Sequence, residues 1–104
     1  MEWKGKGTEY YKSVIKFVGE YLNGIRNGKG KEYDDKGKLR FIGEYKDGLR
    51  NGKGKKYNNK GQLIFEGEYL NGKRNGQVKE YFDNGKLKYE GEYLNGERNG
   101  KGNE

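Results

Sequence analysis

An aromatic residue returns every 24 positions along most of this chain, at Phe17, Phe41, Phe65 and Tyr89. The residues around these anchors return with them. Residues 17–40 read FVGEYLNGIRNGKGKEYDDKGKLR, 41–64 read FIGEYKDGLRNGKGKKYNNKGQLI, and 65–88 read FEGEYLNGKRNGQVKEYFDNGKLK. Residues 89–104 begin a fourth copy, and 1–16 hold an altered earlier one. A period of this length marks one supersecondary unit stacked on its neighbours. Each unit shares its core only with the next, so the expected molecule is an elongated array. The chain reads as a single repeat domain, 1–104, whose function lies on a surface that the array presents.

The composition has to be squared with that reading. Hydrophobic residues make up only 29% of the chain and the formal charge is +7, a balance that ordinarily indicates disorder. The aromatics argue otherwise. They form 14% of the chain and keep fixed places in the repeat, which an unstructured tract has no reason to do. Most are Tyr, whose ring packs while its hydroxyl stays wet, as a thin sheet requires. There is no cysteine, so no disulfide framework is available. No apolar run is long enough for a membrane-spanning helix, and MEWKGKG lacks a signal peptide's apolar stretch. The expected setting is intracellular, cytoplasmic or peripheral at membranes.

Within the repeat, Leu39, Phe41, Gly43 and Tyr45 alternate with charged or apolar neighbours, the period-2 pattern of a strand with one apolar face. The face recurs from Ile15, Leu63 and Leu87. The glycine between two rings is expected to let a ring of the neighbouring strand lie over bare backbone. Asn23-Gly24, Asp47-Gly48, Asn71-Gly72 and Asn95-Gly96 supply positive φ for tight turns. A second Asn-Gly follows four residues later in each copy, at Asn27, Asn51, Asn75 and Asn99. The two together predict a longer ordered loop. A second, short strand then ends near Tyr33, Tyr57 and Tyr81. Turns such as Asp34-Asp35-Lys36-Gly37 lead into the next copy. Strict alternation puts Tyr33 with Lys29 and Lys31, which a bulge at Gly28 or Gly30 would relieve. At the N-terminus, Gly5–Tyr10 matches Gly28–Tyr33, the turn glycine is replaced by Tyr11-Lys12-Ser13, and Trp3 is expected to cap the stack. At the other end, the chain stops within an expected strand that either continues in a longer parent or pairs with another chain.

The pattern F/Y-x-G-E-Y-x-x-G-x-x-x-G-x-G, present at Phe17–Gly30, Phe41–Gly54 and Tyr89–Gly102, resembles the MORN (membrane occupation and recognition) repeat. In the third copy Val78 replaces the last glycine. Tyr21, Tyr45, Tyr69 and Tyr93 stand where such repeats commonly carry Trp, so the resemblance is to a variant type. It implies an all-β array of antiparallel hairpins in one twisted meander sheet, with about eight strands here. It also implies a non-enzymatic role in scaffolding, dimerisation, binding of partner segments or binding of acidic phospholipid.

The residues leave little room for catalysis. There is no His and no Cys, and only one Ser and one Thr, so neither hydroxyl has an imidazole base. Glu20, Glu44, Glu68 and Glu92 share one repeat position, but equivalent strands lie roughly 10 Å apart, and solvated carboxylates explain them. The Asp and Asn turns lack the spaced ligands of a calcium loop. No metal or cofactor is expected. Arg26, Arg50, Arg74 and Arg98 recur at one step of each loop. They read either as an anion-binding stripe or, preferably, as caps on loop carbonyls or stacked on Tyr. The full copies 17–40, 41–64 and 65–88 carry +2, +4 and +1, which centres the basic surface on Arg50, Lys53, Lys55, Lys56 and Lys60.

The favoured function is therefore a protein-interaction scaffold. Its ring-rich face (Phe17, Tyr21, Phe41, Tyr45, Phe65, Tyr69, Tyr89 and Tyr93) would receive a partner segment or a second copy. The face is either left open as an apolar patch or filled by the curl of the sheet itself. The runner-up is a peripheral adaptor for acidic phospholipid through Arg26, Arg50, Arg74, Arg98, Lys53, Lys55 and Lys56. The third reading is a regulatory segment of a larger enzyme. Nucleic acid fits less well, because Lys and Tyr interleave but no RNA-recognition signature is present.

Overall fold

Among the described residues, alternating side chains and positive-φ turns build one sheet of nine antiparallel strands, paired strictly in chain order. A computed structural model describes residues 2–103, with side chains described through residue 99. The strands are β1 (Lys4–Tyr11), β2 (Val14–Leu22), β3 (Ile25–Tyr33), β4 (Leu39–Lys46) and β5 (Leu49–Tyr57), followed by β6 (Leu63–Leu70), β7 (Lys73–Tyr81), β8 (Leu87–Leu94) and β9 (Glu97–Asn103). The ribbon measures 45 × 31 × 15 Å. The altered first copy supplies a full strand, β1, paired along β2 from Lys4↔Leu22 to Tyr11↔Val14. That brings the number to nine, against about eight expected.

The expected long loop is not present. Asn23-Gly24 alone joins β2 to β3, with φ of 51° and 81°, as a two-residue turn matched to the strand twist requires. Asp47, Asn71 and Asn95 repeat this geometry. Lys12 and Ser13 adopt it without glycine, at φ 49° and 66°. The second Asn-Gly lies inside β3 as a bulge. The register runs from Tyr21↔Arg26 to Gly19↔Gly30, so Glu20 faces Asn27, Gly28 and Lys29. Gly28 takes φ 104°, and the Glu20 carboxylate accepts the Lys29 N–H at 2.7 Å. Glu44 and Glu68 do the same for Lys53 and Gln77, both at 2.8 Å. These glutamates, read as merely solvated, pin the bulges.

A second irregularity corrects the expected faces. Glu32 pairs with Phe41 and Tyr33 with Leu39, which leaves Arg40 as an extra residue in β4. Leu39, Leu63 and Leu87 thus pair with the tyrosines of the preceding strand and lie outside the buried ring cluster. The bulge at Gly28 leaves Tyr33 where strict alternation puts it. In the next copy Tyr57 lines a surface depression together with Lys53 and Lys55. The mixture of rings and charges on that face is real.

The rings fill the other face. Phe17, Phe41 and Phe65 are at most 1% exposed. Each Phe meets the Tyr of its own strand and that of the next copy edge-on, as in Phe17–Tyr45 at 5.1 Å and Phe41–Tyr69 at 5.3 Å. The rings lie over glycine, as expected. A Cβ added to Gly54 would stand 2.5 Å from the Phe41 ring tip. A Cβ added to Gly43 would meet backbone instead, Lys53 O at 2.8 Å and Gly54 Cα at 2.9 Å. Side chains can shift where paired backbones cannot, and Val78 already occupies the position equivalent to Gly54 in the third copy. Gly43→Ala should therefore cost more than Gly54→Ala, the former toward the upper end of the about 1–3 kcal/mol typical of overpacking. Urea unfolding of both variants checks the order.

Candidate functional site: a charged ladder over the ring row

The arginines do not sit in loops. Arg26, Arg50, Arg74 and Arg98 are each the second residue of a strand. Their guanidinium groups lie 4.0, 3.9, 4.0 and 4.3 Å from the ring centres of Phe17, Phe41, Phe65 and Tyr89. Stacking on rings was the preferred reading, but the ring beneath is the neighbouring Phe in three copies. The two-residue turn brings this about by setting Arg26 directly opposite Tyr21.

The partners of the arginines are carboxylates that the sequence reading overlooked. Arg50 donates through Nε and Nη2 to the two oxygens of Glu32 at 2.9 and 3.0 Å, and the Tyr45 hydroxyl donates to the same carboxylate. Arg26 grips Glu9 in the same way, at 2.8 and 3.0 Å, with Tyr21 donating at 2.5 Å. In the last copy Tyr93 donates to Glu80 at 2.5 Å and Arg98 at 3.2 Å. Bidentate, charge-assisted bonds of this kind are the strong ones. The signal for them was present in the repeat, because Glu9, Glu32 and Glu80 occupy equivalent positions. It was masked because the second copy has Lys56 there.

Along the ring face the ladder runs Glu9, Arg26, Glu32, Arg50, Lys56, Arg74, Glu80, Arg98. Signs alternate except at Lys56, where three cations follow one another. Burial disfavours the charged Lys56 ammonium, and Arg74, Arg50 and Arg40 add repulsion, so its pKa is lowered. Arg74 has no two-oxygen grip among the described residues; it reaches Glu80 at 3.9 Å and the Tyr93 hydroxyl at 3.4 Å.

The sites expected from sequence are partly separated. Seven of the eight named rings are at most 8% exposed, and Tyr21 packs against them. A partner on this face would meet ring rims and the ladder rather than an open apolar patch. Arg50 and Lys56 lie on the ring face. Lys53 and Lys55 lie on the other, lining a depression of about 570 Å³ with Ile42, Tyr57, Glu66 and Lys79. Among the described residues no three acidic side chains gather as metal ligands would.

Models of the MORN repeat variant match residues 26–47 and 74–95, and models of the MORN repeat match residues 41–62 and 89–104. The chain belongs to the MORN-repeat family. A search of curated proteins gives no match. MORN repeats are generally modules of protein or membrane interaction and are typically non-enzymatic. Proteins that carry MORN repeats are often cytoplasmic or membrane-associated. Among the described residues no helix is long and apolar enough to cross a membrane.

The ladder makes two measurable demands. Hydrogen bonding to Arg26, reinforced by Tyr21, holds the Glu9 carboxyl below its usual value. Burial pushes Glu32 up, but Arg50 and Tyr45 outweigh it and the net shift is downward. Depressed carboxylates contribute stability that is complete above their unfolded pKa, near 4.5, and is lost as pH falls through the folded values. The urea midpoint should therefore fall steeply on acidification below that range. Lys56→Glu would restore the alternation of charge. It should raise stability by about 1.5–3 kcal/mol, the range for hydrogen bonds to charged groups, whereas Glu32→Gln should lower it by a similar amount. Equilibrium unfolding at neutral pH reads both.

Proposed function

We propose that this MORN-repeat protein is a non-enzymatic interaction module that holds an extended segment of a partner protein along the ladder on its ring face. The observation that carries this reading is the regular placement of equivalent Tyr–Glu–Arg units on successive hairpins. Alternate strands lie roughly 10 Å apart, which is about three residues of extended chain. A segment running across the strands would thus meet the same polar arrangement every third residue. The run of three cations on this face, Arg50, Lys56 and Arg74, favours an acidic segment. The array needs no such partner to complete its interior, since no buried side-chain polar atom lacks a hydrogen bond among the described residues.

A second reading, attachment to acidic phospholipid, draws on the opposite face. Lys53 and Lys55 stand there, with Lys29 and Lys31 at equivalent positions. The carboxylates of Glu20 and Glu44 beside them are engaged by bulge N–H groups. The two readings separate experimentally. Selection from a random peptide library should return acidic sequences that perturb the NMR signals of Arg50, Lys56 and Arg74 and leave those of Lys53 and Lys55 unmoved. The protein-segment reading fails if selected peptides map to the lysine face. It also fails if the chain instead binds phosphatidylserine vesicles in a manner abolished by Lys53→Glu with Lys55→Glu and by salt.

A further inference from the structure

The repeat provides its own comparison for the break in the ladder. In three copies a glutamate carboxylate receives a tyrosine hydroxyl and an arginine: Glu9 with Tyr21 and Arg26, Glu32 with Tyr45 and Arg50, Glu80 with Tyr93 and Arg98. In the fourth, Tyr69 and Arg74 hold the same places. Arg74 sits 4.0 Å above Phe65, as Arg50 sits above Phe41. The acceptor alone is changed, to a lysine. Tyr69 is 6% exposed, and no carboxylate of the described residues reaches its hydroxyl. The Arg74 side chain is part-exposed, to the same 28% as Arg26 and Arg50. An array that binds a carboxylate at every other step presents here a guanidinium with no two-oxygen partner among the described residues, only Glu80 at 3.9 Å and the Tyr93 hydroxyl at 3.4 Å.

We infer that Lys56, Arg74 and Tyr69 form a binding site for a carboxylate supplied from outside the chain, namely a Glu or Asp side chain of a bound protein segment. This deepens the proposed function and rests on it for the partner being a protein. The planar guanidinium takes the two oxygens side by side, as Arg50 takes Glu32. The Tyr69 hydroxyl donates to one of them, as Tyr45 does. The Lys56 ammonium supplies a further donor, and the incoming negative charge relieves its repulsion with Arg74 and Arg50. The ring row beneath lowers the dielectric on one side of the site, which strengthens the Coulomb attraction, while the part-exposed side limits the desolvation cost.

The test is an NMR titration of the whole chain with capped oligoglutamate at low ionic strength. Saturable shifts are expected at Lys56 and at the Arg74 side-chain Nε–H. Lys56→Glu, which fills the site from within and is expected to be the more stable protein, should weaken binding by about tenfold or more, or about 1.4 kcal/mol. Lys31→Glu makes the same change of net charge on the opposite face and should leave binding nearly unaltered. Equal loss in the two variants, or unchanged binding in Lys56→Glu, overturns the site. So does equally tight binding of inorganic phosphate at the same residues, or phosphatidylserine vesicles held through Lys56 when oligoglutamate is not. If oligoglutamate binds at Lys56 while library-selected peptides map elsewhere, the carboxylate site stands and the broader reading of the ring face fails.

Discussion

A ring laid over bare glycine, with a guanidinium stacked upon it, is the contact on which this molecule depends. A single sheet has no second layer to bury its apolar face. Here each Phe lies edge-on to two tyrosines and beneath one arginine, so three neighbouring strands cover it completely. Edge-to-face pairs contribute about 0.5–1.5 kcal/mol each beyond burial, and stacked cations about as much again. Repetition makes these modest terms sufficient. The glycines at Gly43 and Gly54 let the strands and rings approach closely enough for the arrangement to close.

The polar ladder follows from the same geometry. Once Arg26 or Arg50 is spread on a Phe ring, its outward edge points at the position two residues past the second glycine of the preceding copy, Glu9 after Gly7 and Glu32 after Gly30. A glutamate there both pairs with the guanidinium and receives the tyrosine hydroxyl that the ring cluster would otherwise leave half-buried. Packing and electrostatics therefore constrain one another. The tyrosine is needed for its ring in the cluster and for its hydroxyl at the rim, a requirement that phenylalanine cannot meet.

Much of this was legible in the sequence. Period 2 around Phe41 and Phe65 pointed to the strands, the 24-residue interval to the meander, and the ring–glycine alternation to the packing. The turns were misread because two Asn-Gly pairs so close together look like one loop. Only the carboxylate of Glu20, reaching back to the Lys29 N–H, lets the second pair serve as a bulge within a continuing strand. Leu39 was placed with the rings because a one-residue bulge at Arg40 leaves no local mark in composition. The glutamate ladder was obscured by its single exception, Lys56. Whether the ring face stayed open depended on tyrosines and arginines of neighbouring strands closing over each Phe, which is not written at any one position.

Each strand in this sheet pairs only with the strands immediately before and after it in the chain. For an all-β protein that is an unusually local set of pairings, and locality shortens the search in folding. No strand waits for a distant partner to be synthesised, so hairpins can join the growing ribbon one at a time. The same locality confines damage. A lesion in one hairpin breaks two interfaces and leaves the others whole, so such a chain comes apart like a zip rather than collapsing as a unit.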